Sequence, residues 1–197
     1  MERATEHLRQ TPWCRALIDD EEWVPTMTWS RVKKVRNTED TFFAETLGTE
    51  RTIRRCLTLR PRRENAGDDE PAFKEVRTIM ELGGGLNGHP DVAHGGFVAT
   101  MLDEVMGVLI QLNLERKVKR LRERERGHPG LSCFTAYLNT NYKKPVPTPT
   151  TVLCTAKFER QERNKIYVSG SISDGKGTIY TLGDGMFVEV TRTSAHL

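Results

Sequence analysis

From residue 97 to residue 110 the chain is apolar on nearly every face. Val98, Leu102, Val105 and Leu109 recur at helical spacing within that run. A helix that apolar all round has to be buried. The predicted helix runs from His94 to about Leu114. Glu115 to Arg126 continues the helical propensity as a highly charged extension, stopped by Gly127, Pro129 and Gly130. After Gly130 the period changes to two. Phe134, Ala136, Leu138, Thr140 and Tyr142 are expected on one face of a strand, and Cys133, Thr135, Tyr137, Asn139 and Asn141 on the other. Further alternating runs cover Val152 to Phe158, Ile166 to Ile172 and Tyr180 to Val190. Before the helix, Thr52 to Arg60 and Ala72 to Leu82 read as strands joined by a polar loop from Pro61 to Pro71. Short turns between consecutive strands predict an antiparallel meander of five or six strands wrapped around one long helix, an α+β layer. Residues 1–50 read as a helical or irregular lead-in, 51–192 as the domain, and 193–197 as a tail.

Composition narrows this picture slightly. The 197 residues suffice for one core, and a net charge of +3 gives no case for nucleic acid. The basic extension has no interleaved aromatic residues and reads first as a solvated face. Cys14, Cys56, Cys133 and Cys154 form no paired motif and are expected as reduced core thiols. No apolar stretch is expected to span a membrane. The ending Ala195-His196-Leu197 is a relaxed form of the Ser-Lys-Leu address, which favours a peroxisomal location with the cytoplasm as alternative.

The chemistry concentrates at the start of the helix. His94-Gly95-Gly96 leaves uncovered N–H groups pointing forward, an arrangement suited to an anion or a developing oxyanion. Asp103 is the one acid a structural core would not choose. From Gly96 to Asp103 is seven residues, or roughly 10 Å along a helix, too far for both to act on one group. Two antiparallel helices solve this, each giving its amino end to one site and its Asp103 to the other. A homodimer with two composite sites is therefore expected, with further pairing of dimers open. Glu104 reads as a structural ion-pair partner, and as the second candidate for the catalytic acid. His94 is expected to orient the turn. His89 and His94 lack further ligands, so no metal is expected. Gly83-Gly84-Gly85 lacks the features of a phosphate loop and reads as a flexible approach to the helix.

These residues resemble the hot-dog fold acyl-CoA thioesterases of the phenylacetic-acid-pathway and Them type. His94-Gly95-Gly96 with Asp103 nine positions after the histidine carries the resemblance. So does Thr135-Ala136-Tyr137-Leu138-Asn139-Thr140-Asn141-Tyr142-Lys143-Lys144-Pro145, and more weakly Arg163 to Val168. Phe42 to Arg60 is similar to fungal members. The resemblance implies hydrolysis of an acyl-CoA thioester, with the Gly96 N–H (Gly95 beside it) polarising the carbonyl. It implies Asp103 of the partner subunit as base or nucleophile, and Thr135 positioning water or substrate. It further implies that Asn141 and Lys143 touch coenzyme A. The family's arginine in the third block falls on Asn164, with Arg163 or Lys165 as substitutes. No cofactor is implied beyond coenzyme A as part of the substrate. Two alternatives stay open: a hydratase, dehydratase or isomerase on the same scaffold, and a non-catalytic acyl-CoA-binding module.

Overall fold

The computed structural model describes residues 1–67 and 70–192. Seven strands form one antiparallel sheet: β1 (Trp23–Thr26), β2 (Ile53–Pro61), β3 (Glu75–Leu82), β6 (Leu131–Tyr142), β7 (Thr150–Glu162), β8 (Lys165–Ser173) and β9 (Ile179–Thr191). A small hairpin, β4 (Asn87–His89) and β5 (Val92–Ala93), stands apart and leads into helix α3 (Gly95–Arg124). The sheet wraps α3, whose Val98, Met101, Leu102, Val105, Met106 and Leu109 are buried in the main core. This is the hot-dog architecture. By length and composition α3 does reach what a membrane crossing needs, contrary to the expectation, but its apolar side chains fill the sheet's concave face.

The strand order is β1-β2-β3-β7-β8-β9-β6, which is not a plain meander. Strand β6 follows the helix in sequence, yet it occupies the far edge, paired with β9. The chain then crosses from β6 back to β7, next to β3, through residues 143–149. Ala93 N–H donates to Val146 O at 2.9 Å, which ties this crossing to the entrance of α3. The seventh strand, β1, comes from the lead-in and pairs with β2. Helices α1 (Glu2–Leu8) and α2 (Pro12–Ile18) cover the other face of the sheet there. Leu8, Cys14 and Ile18 pack on Leu57, Leu59 and Ile79 in a second cluster.

Two local readings need correction. Gly83-Gly85 is not a loose approach. The N–H groups of Gly83 and Gly85 both donate at 2.7 Å, to Thr52 O and Arg51 O, and a Cβ on either glycine would stand 2.5–2.6 Å from Arg51 O. Glycine is needed because one backbone passes directly against another. In β6, the register shifts between Thr135 and Tyr137, leaving Ala136 as an extra residue. The shift exchanges the faces. Cys133 and Thr135 face the helix before it, and Leu138 and Tyr142 after it, whereas Phe134 is 64% exposed.

Candidate active site

The amino end of α3 is capped by its own histidine. His94 is the N-cap residue, and its Nδ1 accepts the Gly96 N–H at 3.0 Å. A Cβ on Gly96 would lie 3.1 Å from that nitrogen, so the glycine admits the ring. The consequence for the expected oxyanion donor is direct. The Gly96 N–H is engaged, while the Gly95 N–H has no acceptor among the described residues. Tyr142 reaches over from β6, its hydroxyl donating to Gly95 O at 2.8 Å. A cavity of about 300 Å³ opens beside them, lined by Gly95, Tyr142, Lys143, Lys144 and Thr181. A helix amino terminus and two lysines give it a positive field. Tyr142 is a site residue that the sequence reading left out. Its signal there was only the resemblance block in which it stands.

Asp103 lies two turns along α3. Thr135 Oγ1 donates to Asp103 Oδ1 at 2.9 Å, so helix and edge strand hold the carboxylate between them. The bulge at Ala136 turns Thr135 inward to make this contact. The separation from Gly95 is eight residues, or about 12 Å along one helix. Two candidate half-sites, the Gly95 entrance and the Asp103–Thr135 contact, thus do not meet within one chain.

Glu104 departs from expectation. Its hydrogen-bond partner is the Ser30 hydroxyl, not a cation. Burial pushes its carboxyl up to about 7; the Ser30 hydrogen bond and Arg31 oppose this, while Asp40 and Asp103 add to it. Of the expected coenzyme A contacts, Lys143 lines the Gly95 cavity, while Asn141 lines a second cavity that shares Tyr142 with it but does not include Gly95. Arg163, Asn164 and Lys165 do not. They form the β7–β8 turn, where Asn164 Nδ2 donates to Glu189 O at 3.3 Å. Lys165 stands opposite Val188 and Tyr142 opposite Thr181, seven residues apart on β9, or roughly 23 Å. The thiols are buried or half-buried and unpaired. Desolvation raises Cys14 and Cys56 to about 12 and Cys133 to about 11, as inert thiols should be.

The thioesterase superfamily profile matches residues 91–181, which hold both half-sites. Over that stretch the chain is similar to the thioesterase superfamily. It is 27% identical over 182 residues to acyl-coenzyme A thioesterase THEM4 of Bos taurus, covering 87% of this chain and 68% of the bovine protein. It is 30% identical over 119 residues to the Mus musculus THEM4, covering 59% of this chain and 44% of that protein. Verlamelin biosynthesis protein B of a Lecanicillium species is 25% identical over 170 residues, 78% of this chain and 74% of that protein. The chain thus spans less than half of the murine relative. Among solved structures, a hypothetical thioesterase from Streptococcus pneumoniae with coenzyme A aligns at TM-score 0.50. Its identity is 15%, over 61% of this chain and 82% of that one. A thioesterase mutant from Pseudomonas aeruginosa aligns at 0.50 with 14% identity, over 66% and 81%. At those identities the two structures bear on the fold alone.

Proposed function

We propose that the protein hydrolyses acyl-CoA thioesters at two equivalent sites of a homodimer, and that each site joins the two half-sites. The observation carrying this reading is the Asp103–Thr135 contact standing two helical turns from an open Gly95 N–H. The exposed edge of β6 offers the joint. Pairing it antiparallel with its own copy, with the two-fold axis near Leu138 and Asn139, sets the partner's Thr135 against Tyr142. The same rotation brings the partner's Arg163-Asn164-Lys165 turn toward Lys143, so all the residues of the resemblance serve one site. In this site the thioester oxygen rests on the Gly95 N–H, while the His94 ring holds the Gly96 N–H and the shape of the turn. Asp103 of the other protomer activates water or attacks the carbonyl carbon, and Thr135 fixes the carboxylate. Lys143, Asn141 and the 163–165 turn hold coenzyme A. The reading calls for no cofactor and no metal.

The deciding experiment measures free thiol release from a panel of acyl-CoAs by the wild type and Asp103→Asn, with mass measured in solution. Turnover in a dimer or larger assembly, reduced at least 10²–10³-fold by the substitution, is expected. Acyl-CoA binding with no thiol release by the wild type would favour the sensing or hydratase alternatives. Peroxisomal residence is a further part of this proposal. Ala195-His196-Leu197 lies outside the described residues, and a fluorescent fusion lacking those three residues tests it.

A further inference from the structure

Beyond the two half-sites, a cavity beside Glu104 stands out. It has a volume of about 350 Å³ and lies between α3 and the 27–40 segment of the lead-in. Gly107 forms part of its floor, and Glu104, Ser30, Trp29 and Gln111 part of its wall. Two observations mark it as a built site. First, Gly107 stands in the interior of α3, where glycine is less favourable than alanine. A Cβ there would meet nothing within 4 Å, so packing within the chain does not require the glycine. Second, Glu104 is largely withdrawn from water, yet it has one hydrogen-bond partner, Ser30, and that bond uses Oε1. Its other oxygen has no partner among the described residues and does not count among the fully enclosed atoms that lack one. It is therefore left to the cavity.

The cavity is also in the right place. On a helix with 100° per residue, Gly107 falls between Asp103 and Glu104, one turn further on. A chain leaving a carbonyl at Asp103 toward the carboxyl end of α3 passes over Gly107 and meets Glu104 at its side. Burial keeps a large share of the Glu104 carboxyl protonated at neutral pH, so it can donate as well as accept. Of the charged and polar groups around the hollow, Lys34 pairs with Asp40 at 3.3 Å and lies over the Trp29 ring, Gln111 donates to Glu115 at 3.2 Å, and Glu39 and Arg192 also line it.

We propose that this hollow receives the acyl group, and that Glu104 with Ser30 selects acyl chains that carry a hydroxyl over plain ones. This rests on the thioesterase reading and deepens it. The test compares thiol release from acetyl-CoA, octanoyl-CoA and a set of hydroxyoctanoyl-CoA positional isomers. The wild type is expected to prefer one hydroxy isomer over octanoyl-CoA about three- to tenfold in kcat/KM, the worth of one net hydrogen bond. Glu104→Leu abolishes that ratio, and Glu104→Gln retains most of it. Gly107→Val lowers the octanoyl-to-acetyl ratio about tenfold or more. Because each readout is a ratio within one variant, partial loss of folded protein does not mimic it. Trp29 gives an independent measure: free hydroxyoctanoic acid should quench its emission at lower concentration than octanoic acid, and Trp29→Phe should remove the signal. A preference untouched by Glu104→Leu overturns the proposal. So does a Gly107→Val variant that changes oligomeric mass without changing the chain-length ratio, since the hollow is then a contact between protomers. If the wild type releases no thiol from any acyl-CoA, the thioesterase reading fails instead, and the Trp29 titration still judges the cavity.

Discussion

Asp103 and Glu104 are neighbours in the chain with opposite surroundings. Asp103 faces β6 and a hydroxyl donor; Glu104 faces the lead-in segment and loses most of its water. The sequence shows two consecutive acids and no basis for ranking their environments. Ser30, which decides the second, is 74 positions away. The expected ion pair was therefore out of reach, while what the offset of Asp103 from His94 did carry was the resemblance to the Them-type enzymes. The raised Glu104 carboxyl has a consequence for stability. Its folded value of about 7 lies above its ordinary 4.5, so the folded state binds more protons between those limits. Stability contributed by the protonated form is present below about pH 4.5 and is lost as pH rises toward 7 and above, at a cost of about 3 kcal/mol. Glu104→Gln should raise the melting temperature at pH 8 and leave it little changed at pH 4.5. Equal effects at both pH values would mean that the carboxyl is not desolvated as described. Thr135→Ala should lower kcat about tenfold, with Thr135→Ser restoring most of it, because the hydroxyl alone makes the Asp103 contact.

At the scale of elements, the apolar run of α3 and the period-two runs of β7, β8 and β9 were legible because burial imposes those periods. The Ala136 bulge was not. Phe134, Leu138 and Tyr142 alternate cleanly in the sequence, and a bulge leaves no mark in alternation. It shows only in pairing with β9. Strand β1 was hidden for another reason: it is four residues long and contains Pro25, which its edge position tolerates. The three glycines before the helix illustrate a general ambiguity, since the same residue serves a hinge and a close backbone crossing. The structure decides for the crossing, and this has a measurable result. Gly85→Ala forces Cβ against the backbone oxygen of Arg51, which has no flexible end to move aside. It should cost about 1–3 kcal/mol in urea denaturation, whereas Gly84→Ala, with nothing within 4 Å, should cost less than 1 kcal/mol.

For the whole molecule, a sheet wrapped around one helix was readable from the order of periods, but the strand order was not. Which strand takes the far edge depends on the path of residues 143–149, and their prolines announce an interruption without a direction. That path leaves β6 unpaired on its outer side, with Phe134, Tyr137 and Tyr142 each at least 40% exposed along it. A long edge strand carrying exposed aromatics invites a partner strand. If the partner is a second copy, complementation between dead variants follows from the geometry. Gly95→Val places a branched side chain where the thioester must rest; a Cβ there keeps ordinary distances of 3.8 Å or more from Tyr142, so folding tolerates it. Asp103→Asn removes the carboxylate. Each homodimer has two dead sites. In a mixed dimer, one site carries both defects and the other carries neither. Random reassortment makes half of the dimers mixed, so equimolar mixing after dissociation should restore about a quarter of wild-type activity. Sites complete within one protomer would restore nothing, whatever the oligomeric mass.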